Sequence, residues 1–474
     1  MTDERILTTK GYAIRKSVLT PAQHAHIRKE LTVMPVSFTA AFAPSFKLYL
    51  ESAERYYLPT SWAISQFGPA QDDIRSHGDE LPDSLVFQGE LREHQTSALT
   101  AFEDAAHNGI ICLPCGYGKT FTGIAAARRI GVCFIIVVHK EFLADQWSGE
   151  LKRLLPGIRI GRIQGEKCDV GPEFDVSIAM IQTICSRTFL LGTFRHFGFV
   201  IFDEVHHLGA EHFSQALHKI NCPKTLGLTA TPKRLDGLSK VFQWFLGPIV
   251  YQITARPKDQ TVKVECLRYT SADDSYTDVK CDWAGKPIRA CMVNAIADFV
   301  PRTRAILDWV TPCLAEPGRK LLVLSDRREH LKVFETGFKN RGITSVGYYV
   351  GGMKQKDLDA AADKQVLLGT FAMASEGMNI PSLNAVLLAT PKSSIEQSIG
   401  RILRLKPEER TVIPRIYDVL DTAFVECYGQ WSKRRKYYKD CGYTIKFAGA
   451  ESSSEEEEKE EEKEENCLIM DEPE

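Results

Sequence analysis

Short apolar runs alternate with stretches of helical spacing along most of the chain. From about residue 87 this pattern predicts strands at 110–113, 132–138, 176–180, 197–202 and 225–229. Between the first two, the Ala-rich "TFTGIAAARRI" (120–130) favours a helix, and residues 140–155 carry apolar positions at helical spacing. Strand and helix in turn predict an α/β domain with a parallel sheet over residues 87–255. A less regular stretch follows, and residues 256–300 are read as a linker. A second alternation then predicts strands at 320–324, 346–350, 365–370 and 385–389, giving a second, similar sheet domain over 301–447. Residues 1–86 belong to neither sheet. Their aromatic and β-branched residues, broken by Pro, predict a small separate α+β domain.

Composition adds little until charge is mapped. The chain has 474 residues, 44% hydrophobic and 25% charged, an ordinary globular mix with room for two or three domains. No apolar run is long enough to cross a bilayer and no secretory pattern opens the sequence, so an intracellular protein with no membrane partner is expected. The 13 cysteines lack a regular spacing, and Cys112 and Cys115 form the only C-x-x-C, which reads as packing rather than metal or redox chemistry. The formal charge of −2 is segregated. Residues 451–474 hold 13 Asp/Glu against 2 Lys, a net of −11 that leaves +9 on residues 1–450. The body suits a polyanionic partner. The acidic segment, 448–474, cannot bury enough apolar surface to fold alone and is expected to be disordered; it either competes for the basic body or serves as a solubilising or docking segment.

Candidate chemistry begins at "LPCGYGKT" (113–120), directly after the first predicted strand. Gly116 and Gly118 let backbone N–H groups turn inward, Lys119 brings a cation to β/γ-phosphates, Thr120 can hold Mg2+, and a helix N-terminus follows. Alone, such a loop also reads as a tight strand-to-helix turn. "FVIFDEVHHL" (199–208) delivers Asp203 and Glu204 to the carboxyl end of a strand, where open parallel sheets bind ligands. One carboxylate can orient Mg2+ while its neighbour takes a proton from attacking water; the bland alternative is a helix cap. "LGLTATP" (226–232) ends a buried strand in Thr229-Ala230-Thr231. In "SSIEQSIGRILR" (393–404), Gln397, Arg401 and Arg404 fall on one helical face, where arginines are either solvated or placed to reach a γ-phosphate across a cleft between the sheets. Together these blocks point to nucleotide hydrolysis.

In order and spacing, the blocks resemble the motifs of superfamily 2 helicases and translocases over residues 91–421. "LREHQ" (91–95) is similar to the adenine-reading Gln motif, "LPCGYGKT" to motif I, "VVHKEFLADQW" (137–147) to motif Ia and "DEVHH" to the DExH form of motif II. "LTATP" resembles motif III, "VLLGTFAMASEGMNIP" (366–381) motif V, and "QSIGRILR" motif VI. Leu113, where a strict phosphate loop has Gly, and the DEVH box look like the xeroderma pigmentosum group B type of DNA helicase. Those have Arg-Glu-Asp after motif III, where this chain has Arg234-Leu235-Asp236. The compact length and the preceding N-terminal segment resemble helicases of large cytoplasmic DNA viruses, transcript-release helicases of the poxvirus type among them.

The resemblance implies two RecA-like domains and the cofactors ATP and Mg2+. It places Gln95 on adenine; Gly116, Gly118, Lys119, Thr120 and Gly377 on the nucleotide; and Thr120 and Asp203 on the metal. Glu204 would be the catalytic base, and Arg401 and Arg404 would complete the catalytic set. His206, Thr229, Thr231 and Gln397 would couple ATP to nucleic acid, and His139, Lys140, Gln182, Thr183, Arg234, Ser325 and Thr370 would contact one strand. The expected partner is DNA, single-stranded or at a fork or duplex, with RNA or the transcription machinery as alternatives, and the expected state a monomer. If the source is viral, the implied place is the host cytoplasm or the virion, and otherwise the nucleus. "WSKRRKYYKD" (431–440) reads as a single-strand contact, an import patch or a solvated last helix.

Overall fold

The computed structural model describes the chain except residues 1–3, 35–44, 115, 207–210, 231–237, 254–257, 377, 379, 404, 406 and 449–474. The acidic C-terminal segment therefore lies outside the described residues. The chain divides into two compact units, 1–254 and 255–474.

The first unit is built on an eight-stranded sheet. Its order is Lys167–Cys168, Ile160–Gln164, Val176–Met180, Phe134–Val138, Phe199–Asp203, Lys224–Thr229, Asn108–Cys112, Ile249–Gln252. Every pairing is parallel except the Lys167–Cys168 hairpin. The central strands are covered on both faces and so read as unbroken apolar runs, which is why periodicity found them. Ile160–Gln164, next to the edge hairpin, and the edge strand Ile249–Gln252 are half-buried and were not anticipated. Gly118 and Gly131, both left-handed, bracket the helix Lys119–Ile130. In the next helix, Glu141–Leu154, Leu143, Trp147, Leu151 and Leu154 fall on one buried face.

Residues 1–86 carry their own sheet but are not a separate body. The strands run Leu50–Glu51, Arg55–Leu58, Gly11–Arg15, Arg5–Thr8, Asp72–Asp73, and the core above them includes Leu238 and Val241 from the other side. Helix Thr60–Phe67 packs on helix Ser239–Leu246. Buried His218 spans the joint, its Nδ1 2.9 Å from the Lys10 carbonyl and its Nε2 3.0 Å from that of Leu48. Asn221 donates to the Thr8 carbonyl at 2.9 Å.

The second unit has a seven-stranded, all-parallel sheet in the order Val346–Tyr349, Val366–Gly369, Leu321–Leu324, Ala385–Leu388, Arg415–Asp421, Lys263–Tyr269, Thr444–Phe447. This corrects the expected linker at 256–300. Lys263–Tyr269 is an inner strand, and helix Arg289–Asp298 also lies within that range. The strand escaped notice because Val264 and Cys266, fully buried, alternate with Lys263 and Glu265, so no unbroken apolar run marks it.

Two buried ion pairs hold this unit. Arg302 meets Asp421 through Nε and Nη2 at 2.5 and 2.9 Å, with the Tyr276 hydroxyl donating to the same carboxylate at 2.8 Å. Arg434 meets Asp418 through Nε and Nη2 at 2.8 and 2.9 Å, and Tyr438 donates to it at 2.7 Å. The helix Val425–Asp440 thus turns Trp431, Arg434 and Tyr438 inward. None of the three surface readings of "WSKRRKYYKD" accounts for that face. Among the described residues, no helix is long and apolar enough to cross a membrane.

Candidate nucleotide site

Parallel pairing brings the ends of Phe199–Asp203, Lys224–Thr229 and Asn108–Cys112 side by side, with Asp203 opposite Leu228 and Thr229 opposite Cys112. The glycine loop therefore leaves the sheet beside the acidic pair. Gly116 and Gly118 have φ of +86° and +77°, a conformation a side chain resists. A Cβ at Gly118 would collide with the Gln95 carboxamide. That carboxamide is buried against the loop: Gln95 Nε2 donates to the Tyr117 carbonyl at 3.3 Å, and Oε1 accepts from the Arg92 N–H at 2.9 Å. His94 Nε2 lies 3.2 Å from the same Tyr117 carbonyl. The Gln motif thus braces the loop from behind.

Lys119 Nζ lies 2.9 Å from Glu204 Oε1, both side chains largely buried. Glu204 has φ of +50°, uncommon for a residue with a side chain and found where surrounding structure imposes it. The turn separates the directions of Asp203 and Glu204. Asp203 is held through both oxygens: Oδ1 accepts from the Glu204 N–H at 3.0 Å and Oδ2 from Trp147 Nε1 at 2.9 Å. Burial, then the Glu204 charge, raise its pKa to about 6 against the pull of Lys119 and Trp147. His206 Nδ1 is 3.5 Å from Glu204 Oε2 and 3.2 Å from the Thr229 hydroxyl. A continuous polar line runs Lys119, Glu204, His206, Thr229. Asp203 and the half-buried Thr120 offer the hard oxygen donors that suit Mg2+. Cys112 is buried in its strand, its thiol pushed up to about 12 by burial.

The expected strand-contacting residues of this unit lie along the same sheet end. His139 is held toward the neutral form by burial and by Lys140, against the pull of Asp203 and Glu204, and burial also lowers the Lys140 pKa. Gln182 is exposed, and its Nε2 donates to the His139 carbonyl at 2.7 Å. Thr183 is buried, its hydroxyl accepting from the Gly165 N–H at 3.0 Å, so the side chain is a structural brace rather than a free phosphate ligand. Thr231 and Arg234 lie outside the described residues. Sequence reasoning gave Trp147 no role. It stood in the motif Ia stretch, but its bond to Asp203 spans 56 positions and leaves no local signal.

The family model described as "Type III restriction enzyme, res subunit" matches residues 88–234. A protein of Acanthamoeba polyphaga mimivirus, named for an ATP-dependent RNA helicase, is 31% identical over 454 residues, covering 93% of this chain and 86% of its own. The chain belongs to the superfamily 2 helicases. As such it is a nucleic-acid-dependent ATPase. This helicase is also 36% identical over 201 residues to the DNA 3′-5′ helicase XPB of Mycobacterium tuberculosis, 40% of the chain and 35% of that protein. The structure of the ATP-dependent Type ISP restriction-modification enzyme LlaBIII bound to DNA shares its fold. It has a TM-score of 0.53 at 14% identity, covering 81% of this chain and 33% of the enzyme.

In the second unit of the helicase, Arg401 Nε donates to the Ala374 carbonyl at 2.6 Å and Nη1 to that of Met378 at 3.0 Å, joining motif VI to motif V. The helix expected to carry Gln397, Arg401 and Arg404 on one face is a single turn, Glu396–Ile399. Gln397 is on it and Arg401 follows it, drawn out of helical register by the two carbonyls it binds. Gly377 and Arg404 lie outside the described residues. Thr370 is half-buried at the end of its strand. Ser325 is fully buried, its hydroxyl 3.1 Å from His330 Nδ1 and accepting from the Arg327 N–H at 3.1 Å. Its side chain faces the protein, which corrects the expectation of a direct phosphate contact.

Proposed function

We propose that this helicase hydrolyses ATP with Mg2+ at the Lys119–Asp203–Glu204 site to move along DNA. The observation that carries the reading is the line from Lys119 through Glu204 and His206 to Thr229. Lys119 neutralises Glu204, and ATP phosphates compete for the same ammonium. Once Lys119 turns to the phosphates, the Glu204 carboxylate accepts a proton from water as the water oxygen attacks the γ-phosphorus and ADP leaves. When bound, Mg2+ supplies charge neutralisation to the phosphate oxygens, with Asp203 and Thr120 as its protein ligands. His206 and Thr229 relay the state of Glu204 to the sheet end that carries His139, Lys140 and Gln182. Gln95 braces the phosphate loop from behind, and Arg401 ties motif VI to motif V within the second unit. Contacts to phosphate rather than base edges suit a motor that moves without regard to sequence.

DNA is favoured by the stronger local identity to a named DNA helicase, while the basic body suits either nucleic acid. RNA is the second reading, supported by the name of the mimivirus relative that matches along nearly the whole chain. Transcript release is the finer role proposed from the motif resemblance alone, and the mimivirus source of the relative supports only the viral setting. The deciding experiment measures ATP turnover alone and with single-stranded DNA, duplex DNA or single-stranded RNA, with Glu204→Gln as control. DNA stimulation that the control abolishes supports the proposal, and stimulation by RNA alone replaces the substrate.

A further inference from the structure

Trp283 is 99% exposed, whereas Trp62, Trp147 and Trp431 are each at most 2% exposed. A single exposed apolar residue is ordinary, but an indole held wholly in water on an ordered turn is presented for stacking. Here the turn is ordered. Cys281 bridges Pro287 across the turn. The Asp282 N–H donates to the Lys286 carbonyl at 2.8 Å and the Gly285 N–H to the Asp282 carbonyl at 3.0 Å. Asp282 Oδ1 accepts from the N–H groups of Ala284 and Lys286 at 2.9 and 3.0 Å. The Ile288 N–H closes the base on the Lys280 carbonyl at 2.8 Å. The turn holds its tryptophan out on a rigid stem.

The stem is anchored to the second unit at its base. It leads into helix Arg289–Asp298. Arg327 clamps that helix, with Nε donating to Asn294 Oδ1 at 2.6 Å and Nη2 to the Ala290 carbonyl at 3.3 Å, while its own N–H donates to the Ser325 hydroxyl. Ser325 turns its hydroxyl into the protein, so the part of loop 325–327 here is to fix the helix beneath the turn. Lys280, Lys286 and Arg289 are all exposed around the turn, and the acid among them, Asp282, spends its carboxylate on backbone N–H groups. Asp273, Asp274 and Asp278, exposed as well, lie at and beside the short helix Asp274–Thr277 that precedes the turn, where Asp273 caps Ser275. An exposed aromatic face with cations around it is the chemistry that binds single-stranded nucleic acid, because every base offers a face to stack on and the cations answer its phosphates.

We propose that Trp283 stacks on an unpaired base of the bound strand. This rests on the reading of the chain as a nucleic-acid motor and adds to it a base contact outside the motifs that define the family. Stacking is indifferent to base identity, so the contact is compatible with movement, and it favours the single strand over the duplex, whose bases already stack on one another.

The test uses the full chain with Trp283→Ala and Trp283→Phe, fluorescein-labelled oligothymidylate and a labelled duplex for anisotropy, and tryptophan emission as the second readout. Trp283→Ala should weaken single-strand binding about ten-fold, within the range for loss of one aromatic–base stack. Duplex binding and ATP turnover without nucleic acid should stay unchanged, and Trp283→Phe should retain most of the affinity. Wild-type emission should be quenched by the oligonucleotide, and Trp283→Phe should lose that quench. If wild type binds and is stimulated while Trp283→Ala matches it and the quench survives in Trp283→Phe, the stacking contact is refuted and the motor reading stands. If no nucleic acid binds or stimulates the wild type, the motor reading itself fails and the contact with it.

Discussion

Replacing Trp147 by Phe retains an aromatic ring in the helix Glu141–Leu154 and deletes the N–H that Asp203 Oδ2 accepts at 2.9 Å. A hydrogen bond to a charged group contributes about 1.5–3 kcal/mol. If that bond aims Asp203 as charge develops on the phosphate, its loss appears in the barrier. At about 1.36 kcal/mol per ten-fold, kcat should fall roughly 10- to 150-fold. The KM for ATP should change little, since Lys119 and the glycine loop are untouched. The substitution also removes packing, because a Cβ at Gly123 would lie 3.0 Å from Trp147 Cη2, and the smaller ring leaves a gap there. Loss of that volume destabilises the unit by about 1–3 kcal/mol. Gly123→Ala serves as comparator, pressing on the indole without deleting its N–H, and should lower kcat less than Trp147→Phe at equal loss of stability. Steady-state turnover at saturating ATP and DNA, with thermal melting of each variant, separates the two effects. A kcat for Trp147→Phe within about two-fold of wild type, alongside a lowered melting temperature, would show that the indole only fills space.

Gly118→Ala should raise the KM for ATP at least ten-fold, because the left-handed φ and the Gln95 carboxamide both oppose a methyl group; nucleotide titration by fluorescence checks it. Arg434→Met leaves the buried Asp418 carboxylate without its guanidinium and should destabilise the second unit by about 3–5 kcal/mol. Calorimetry should show its transition lowered by roughly 6–20 °C, with partial recovery when Asp418→Leu is added. Burial and the Arg302 charge hold the His330 pKa down to about 3, against about 6.5 for an unfolded chain, so the native state resists its protonation. That stability is full above pH 6.5 and is lost as pH falls toward 3, about 2 kcal/mol of it by pH 5. Denaturant melts at pH 7 and pH 5 should show the loss, and His330→Asn should flatten it.

The phosphate loop and the acidic pair were legible in the sequence because each follows a strand apolar enough to identify by itself, and the sheet then sets them side by side. The strand Lys263–Tyr269 was not, since its charged residues alternate with the buried ones. Polarity also misled at Arg434, whose charge is answered by an aspartate one strand away in the core, a pairing that no local pattern records. Ser325 and Thr183 carry the right atoms for a phosphate contact, but their hydroxyls satisfy buried neighbours instead. The Trp147–Asp203 bond belongs to the same class: a contact made by topology between segments whose separate sequences give no hint of each other.

The joint at His218 bears on how the first unit transmits force. Leu238 and Val241 sit in the core of the N-terminal lobe, and the imidazole is pinned between two of the lobe's carbonyls. A body joined in this way has no hinge at the seam, so the lobe travels with the sheet that carries Lys119 and Asp203, as the handle of a tool travels with its blade. A surface gripped by the lobe would therefore move together with that sheet. A chain cut at residue 87 would lose that lever and uncover Val241 of the helix Ser239–Leu246 and Leu238 before it.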